Sequence, residues 1–400
     1  MNKFFKIYLL ITMCFLTFGC NQNKTLPIIK EEDSQNEEKI TYPIVKKISL
    51  IATGDGLLHN SVYKSVYNKD NDSFDFSSQL TMIKDIVSNY DIAYYNQETL
   101  FGGKQTDMFT DPNHLIGYSS YPYFNSPSEF GDAMIDAGFN TVSLASNHSA
   151  DCRSKSKECI TNSVNYWKSK KDVLFSGLND SIEMQNTIPI KEKNGITYTM
   201  LNYTTTLNGL DSFIKEEYLV NQYDEEKVKK DIESIKNKVD VIIVAMHWHT
   251  GAEYSFNVTQ KNQEIASYLS SLGVDIILGT YSHCLQPFDI INDTVVFYSL
   301  GNFISNQGVL VNSIGYKGIV GALATMDIVK TINEDGSTSI SIENIGSELI
   351  YTYKSDKKEY LVIPFSKMKD EYNSNYKKIH EDYSNVLKSL NKNIKIIQAN

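Results

Sequence analysis

The stretch Val241-Ile242-Ile243-Val244-Ala245-Met246-His247-Trp248-His249-Thr250-Gly251-Ala252-Glu253-Tyr254 carries the reading of the fold. Its first half, Val241 to Met246, has no polar position, the pattern of a strand covered on both faces. Imidazole, glycine and carboxylate follow at once. Open α/β sheets bind ligands beyond the carboxyl ends of their strands, so this junction reads as one edge of a binding site.

The same arrangement recurs on both sides. Glu225 to Lys238 reads as the helix before this strand; Gln260 to Leu272, stopped by Gly273, leads into the strand Val274 to Leu278. Further upstream, Ile48 to Thr53 is a short β-branched run bounded by Gly54-Asp55-Gly56. Met82, Ile83, Ile86 and Val87 give Leu80 to Tyr90 a helical face, and Asp91 to Tyr95 follows as a strand. Ser128 is placed to cap a helix through Ala137, with a strand from Asn140 to Ala145. Repeated helix–strand units of this kind predict an α/β fold: a layered sandwich with parallel or mixed sheets flanked by helices. After Val295 strands take over: Val295 to Ser299, Gly318 to Val329, Ser337 to Glu343 and Glu348 to Tyr353. Asn333 to Gly336 forms a hairpin turn between two of them. Ser366 to Lys392, charged and Tyr-rich, reads as a peripheral helix. The expected organisation is a main domain over 45–310 and a C-terminal β-rich and helical extension over 311–400.

A hydrophobic share of 41% with 12% aromatics belongs to a globular protein. With 38 basic against 48 acidic side chains the net charge is −10, which argues against nucleic acid as a partner. An anion can still be bound locally, through metal ions or helix N-termini. Lys3 and Lys6, the apolar run Ile7 to Phe18 and then Gly19-Cys20 read as an export signal over 1–20, with Cys20 as a lipidated anchor. Leu16 lies one place further from the cysteine than the usual lipoprotein leucine, so an ordinary cleaved signal and an uncleaved anchor stay open. All three readings put the bulk of the chain outside the cytoplasm. The polar, acidic residues 21–44, with Glu31-Glu32-Asp33 and Glu37-Glu38, read as a tether. Cys152 and Cys159 are placed to pair in an oxidising compartment, which leaves Cys284 odd.

Each strand end carries metal-ligating residue types. The first gives Asp55, with His59 four residues on; the second Asn96-Gln97-Glu98; the third Ser146-Asn147-His148, with Asp151 close behind; the fourth His247 and His249; the fifth Gly279-Thr280-Tyr281-Ser282-His283. Only His114 and His380 fall elsewhere. One such residue after a strand is an ordinary turn or cap; recurrence over successive strands points to a divalent-cation site built from oxygen and imidazole. His59 stays open between ligand and turn residue.

Gly54-Asp55, Asn96-x-Glu98, Ser146-Asn147-His148, His249-x-Gly251-x-Glu253-Tyr254, Gly279 to Pro287 and Tyr298-Ser299-Leu300-Gly301-Asn302-Phe303 resemble, in this order, the motifs of CapA-type capsule-synthesis proteins. The match runs from Ile48 to Gln307. The resemblance implies a metallophosphatase-like sandwich holding two divalent ions (Mn, Zn, Fe or Mg). Asp55 would bind one, Glu98 would bridge, Asn147 would bind the second, and His249 and His283 would complete the shells. His148 would be the proton donor or charge stabiliser, with Asp151 beside it as the other catalytic candidate. Two departures stand out: Thr280 occupies a position where the family often has histidine, and Thr250 replaces a usual tryptophan. In an extended strand His247 and His249 share a face, so His247 is placed to replace the missing ligand.

The function implied is that of a lipid-anchored surface protein in poly-γ-glutamate synthesis, export or anchoring, hydrolysing a phosphoester. Its expected partners are the membrane, membrane-bound polyglutamate synthase subunits and an anionic polymer or phosphoester substrate. The rival is a non-catalytic subunit that binds polymer or synthase through a degraded metal site, which Thr280 favours. A third reading is an esterase or peptidase-like cell-wall enzyme using the same metals.

Overall fold

The computed structural model describes residues 42–105 and 117–400. The signal over 1–20 with Cys20, the tether up to Thr41, and His114 lie outside the described residues. Among the described residues no helix is long and apolar enough to cross a membrane.

Two sheets share the core. The first runs, in spatial order, Tyr360–Pro364, Thr338–Lys354, Val320–Ile332, Ile44–Gly56, Ile92–Asn96, Thr141–Ser143 and Leu174–Ser176. Ile44–Gly56 is its hinge: parallel to Ile92–Asn96, with Leu50 opposite Ile92, and antiparallel to Val320–Ile332, with Ile48 opposite Ile328. The second sheet runs Phe288–Ile291, Thr294–Phe297, Ile276–Thr280, Val241–His247, Ile196–Thr204 and Lys191–Lys193. Its four inner strands are parallel, and both edge strands are antiparallel.

Alternation along each strand sorts side chains into layers. Ile48, Leu50 and Ala52 share a cluster with Ile243, Ala245, Ile276 and Leu278 of the other sheet. Ile51, Ala93 and Tyr95 face the helices Glu129–Asp136 and Ser156–Lys168 through Phe130, Met134, Ile160 and Trp167. Ile242, Val244 and Met246 face Glu225–Ile235 and Gln260–Ser271. Helix, sheet, sheet, helix: the run Val241 to Met246 lacks a polar position because both its faces are covered. Both outer helices begin on a side-chain cap. Asp224 accepts the Lys227 N–H at 2.9 Å and Thr259 the Asn262 N–H at 3.1 Å, each worth about 1 kcal/mol.

Three elements differ from expectation. Leu80 to Tyr90 is not one helix but two turns, Ser77–Leu80 and Lys84–Val87. Gln79 is pinned inward by its amide bonds to the Val62 carbonyl and the Ser65 hydroxyl, both 3.1 Å, and Thr81, Met82 and Ile83 form a turn between the two. The two strands expected at 337–343 and 348–353 are one, Thr338–Lys354. A bulge joins them: Asn344, at φ 52°, and Ile345 lie against the single residue Met326. Finally, residues 311–400 are no appendage to a domain ending at 310. Their strands complete the first sheet beside Ile44–Gly56, and residues 42–400 form one compact unit. The C-terminal helix, Tyr376–Leu387, buries Tyr376, Ile379, Tyr383 and Leu387 against that sheet's core.

Candidate metal centre

The carboxyl ends of the inner strands of both sheets converge on one rim. Asp55 lies near the end of its strand, Glu98 two residues past Asn96, and Asn147 and His148 in the turn after Thr141–Ser143. The second sheet contributes His247, the last residue of its strand, and His283, three residues after Ile276–Thr280. Asp55, Glu98 and His283 are buried, with one ligand atom of each within 4.8 Å of the others. His247 Nδ1 is 3.9 Å from Asp55 Oδ1, and its Nε2 is 3.9 Å from Glu98 Oε1 and 2.9 Å from Asn147 Oδ1. His283 Nε2 and His148 Nε2 each lie 3.8 Å from Glu98 Oε1.

Three imidazoles therefore surround one glutamate, yet neither Glu98 oxygen has a hydrogen-bond partner although both are buried. A buried carboxylate left without donors is costly unless a cation occupies its lone pairs. Burial raises the Glu98 carboxyl well above its usual range and that of Asp55 to about 7. Burial also pushes the His247 and His283 imidazoles down, toward the neutral form that coordinates metals. The donor set fits divalent cations: carboxylate, amide oxygen and neutral imidazole.

Amides and hydroxyls behind the donors fix their orientation, as second-shell partners do. Asn96 Nδ2 donates to Asp55 Oδ1 at 2.7 Å, and Ser143 Oγ donates to Asn96 Oδ1 at 2.6 Å. Asn302 spends its Nδ2 on Gln307 Oε1 and the Gly318 carbonyl, so its Oδ1, 3.0 Å from His283 Nδ1, must accept. That places the proton on Nδ1 and leaves His283 Nε2 toward Glu98. Asp151 Oδ2 accepts from His148 Nδ1 at 2.7 Å and from the Phe124 N–H at 2.5 Å, which aims His148 Nε2 inward. Thr280, which stands where a ligand was expected, sets its hydroxyl 2.9 Å from His247 Nδ1.

The structure thus brings together Asp55, Glu98, Asn147, His148, Asp151, His247 and His283. It does not bring in His249. The strand ends at His247, Trp248 turns inward to donate its indole N–H to the Tyr298 carbonyl at 2.9 Å, and His249 is exposed with its ring stacked on Tyr281 at 4.3 Å. His59 lines the neighbouring cleft and accepts the Asn306 N–H at 3.2 Å. Asn96 and Asn302 were quoted within motifs but not as site residues; each lies beside a strand-end signal, and only the fold shows which donor it holds.

The centre opens into a cleft of about 770 Å³ walled by Tyr121 to Phe124 on one side and by Asn208, Leu210, Tyr254, Val309 and Leu310 on the others. A disulfide, Cys152–Cys159, closes the loop that begins directly after Asp151, and Cys284 is free and buried.

Two docked sheets with oxygen and imidazole donors at their shared rim place the molecule among layered α/β proteins with the donor set of a divalent-cation centre. The chain belongs to the bacterial capsule synthesis protein PGA_cap family, whose model matches residues 49–307. It is 25% identical to the capsule biosynthesis protein CapA of Bacillus anthracis over 73% of this chain and 74% of that protein. It is 30% identical to the PGA biosynthesis protein CapA of Bacillus subtilis (strain 168) over 44% of this chain and 45% of that one. Similar solved structures include the calcineurin-like phosphoesterase YfkN from Bacillus subtilis, at 16% identity and a TM-score of 0.43, covering 75% of this chain and 91% of that one. The NAD nucleotidase NadN of Haemophilus influenzae matches at 13% identity and a TM-score of 0.39, covering 89% of this chain and 65% of that one.

Proposed function

We propose that this protein is a metal-dependent phosphoester hydrolase serving capsular poly-γ-glutamate synthesis, export or anchoring at the cell surface. The observation that carries the catalytic part is Glu98: a buried carboxylate with no hydrogen-bond donor, ringed by Asp55, His148, His247 and His283. Asp55, Glu98 and His283 would hold one cation, and Glu98, Asn147 and His247 a second. When bound, divalent cations here supply Lewis acidity, polarising a phosphoryl oxygen and acidifying water.

The chain's own groups do the rest. His148, held at Nδ1 by Asp151, presents Nε2 at the mouth of the centre, where it delivers a proton to a departing oxygen. Asn96, Thr280 and Asn302 keep the donors in place. The cleft walls receive the remainder of the substrate and exclude water from it. The names of the two relatives support the capsule role, and the Cys152–Cys159 disulfide supports an oxidising compartment outside the cytoplasm. Lipid attachment at Cys20 and contact with membrane-bound synthase subunits complete the proposal.

The test is metal content together with turnover of bis-(p-nitrophenyl) phosphate. Wild type should bind divalent cations and hydrolyse the ester, and Glu98→Gln should lose about 100-fold or more in both affinity and turnover. Cation-free, inactive wild-type protein would favour the second reading, a non-catalytic polymer- or synthase-binding subunit, to which Thr280 at a ligand position gives its support.

A further inference from the structure

Arg153 is the sole arginine among the 38 basic residues of the chain. Everywhere else the positive charge is a lysine ammonium, a flexible point charge. A guanidinium is a rigid planar fork that matches carboxylate and phosphate two bonds at a time. Where that one fork stands is therefore informative.

It follows Asp151 by two residues, inside the loop closed by Cys152–Cys159. Its backbone sits at φ 53°, a left-handed conformation uncommon for a side-chain-bearing residue. The guanidinium lies 5.4 Å from the Tyr123 ring centroid and 5.7 Å from that of Phe213. Tyr123 belongs to one wall of the cleft; Phe213 ends the helical turn Asp211–Phe213, which follows the cleft residues Asn208 and Leu210 on another. The Phe124 N–H bond to Asp151 ties the first wall to this loop. Arg153 thus lies just outside the cleft lining, its guanidinium over the ring of the wall residue Tyr123 and beside that of Phe213.

Its charge is also uncommitted. Nearby Lys157 is paired with Glu216 at 2.6 Å, whereas among the described residues no carboxylate pairs with the exposed Arg153. The cleft lining itself carries Asp151 and Glu253 but neither lysine nor arginine. The Lys354 ammonium reaches the lining only through Asn306 Oδ1, at 3.0 Å, so Arg153 is the one guanidinium available to a negatively charged chain entering this cleft.

We infer that Arg153 is a specificity-determining residue: it grips a carboxylate or phosphate of the substrate outside the reacting centre. This rests on the proposal that the cleft is the substrate site. Carboxylate and phosphodiester polymers share the required chemistry, an anion repeated along a chain, so one anion can sit at the guanidinium while another part of the molecule reaches the centre.

The experiment measures binding to the full-length protein calorimetrically, once with Mn²⁺ and once with a chelator. The probes are oligo-γ-glutamate, a glycerol-phosphate oligomer and the uncharged oligo-γ-glutamine. Arg153→Met should weaken at least one anionic probe about tenfold or more, and Arg153→Lys should recover only part of that loss. Oligo-γ-glutamine should bind both variants as it binds wild type, with the melting temperature unchanged. Whichever anionic probe responds identifies the source of the anion. The inference is overturned if Arg153→Met binds both anionic probes like wild type, if the uncharged probe weakens equally, or if wild type binds neither anion. A loss in Arg153→Met that persists under chelator, in a protein taking up no cation, would uphold the inference while refuting the metal reading.

Discussion

His247 and His249 are one residue apart, and the fold treats them oppositely. The sequence offered both as ligands, because in a continuing strand they would face the same way. The strand stops at His247, and the Trp248 indole, bonded to the Tyr298 carbonyl, turns the chain so that His249 leaves the rim. Tyr298 is remote in sequence, so nothing local in His-Trp-His reveals where the strand ends. His247→Ala is expected to abolish binding of at least one cation, whereas His249→Ala should leave the metal content intact; metal analysis of the two variants decides. The buried carboxyls carry a pH consequence. Asp55 is raised to about 7 and Glu98 well above its usual range, both by burial, so without a cation they retain protons that metal must displace. His247 and His283, pushed down, stay neutral and do not compete. Apparent cation affinity should therefore rise as pH increases through about 7 and fall below it, with proton release seen by calorimetry in buffers of different ionisation enthalpy.

At the scale of elements, alternation made most of the helices and inner strands legible, whereas capping did not: Ser128, read as a cap, makes no side-chain cap bond, while Asp224 and Thr259 do cap the helices whose apolar faces point at Val241–His247. Close approaches between elements were not legible. Gly54-Asp55 read as a turn closing a strand, but the strand continues through Gly56, and the glycine serves a crossing. A Cβ on Gly54 would meet the Gly301 carbonyl oxygen at 1.7 Å, where the Asp55 N–H donates to that same oxygen at 3.0 Å. Backbone cannot yield as a flexible side chain does. Gly54→Ala is therefore expected to cost about 3 kcal/mol or more, the upper end for overpacking. A lowered denaturation midpoint with an unchanged m-value would register it. Tyr298-Ser299-Leu300-Gly301-Asn302 carries this function in the sequence, but its partner strand lies at the other end of the domain.

For the whole molecule, the class of fold was legible, and five of the six residues expected as metal ligands meet at one rim, because each strand end announces itself with a polar burst after an apolar run. The role of the C-terminal residues was not. Val320–Ile332 looks like any exposed hairpin strand until it is seen beside Ile44–Gly56, where it becomes the interior of the first sheet. The proposed metal donors divide between the sheets: Asp55, Glu98 and Asn147 ride on the first, His247 and His283 on the second. An ion seated among them is a rivet through two plates, and the plates must be in register before it can be driven. Loading should then be read in mechanical stability as well as in turnover. At a cation concentration of about 1,000 Kd the folded state gains about 4 kcal/mol, so chelation should lower the melting temperature of wild type strongly and that of Glu98→Gln much less, because a site about 100-fold weaker gains at most about 1.4 kcal/mol there. On the proposed metal reading, a cell short of that ion would loosen the joint between the two sheets as well as silence the site.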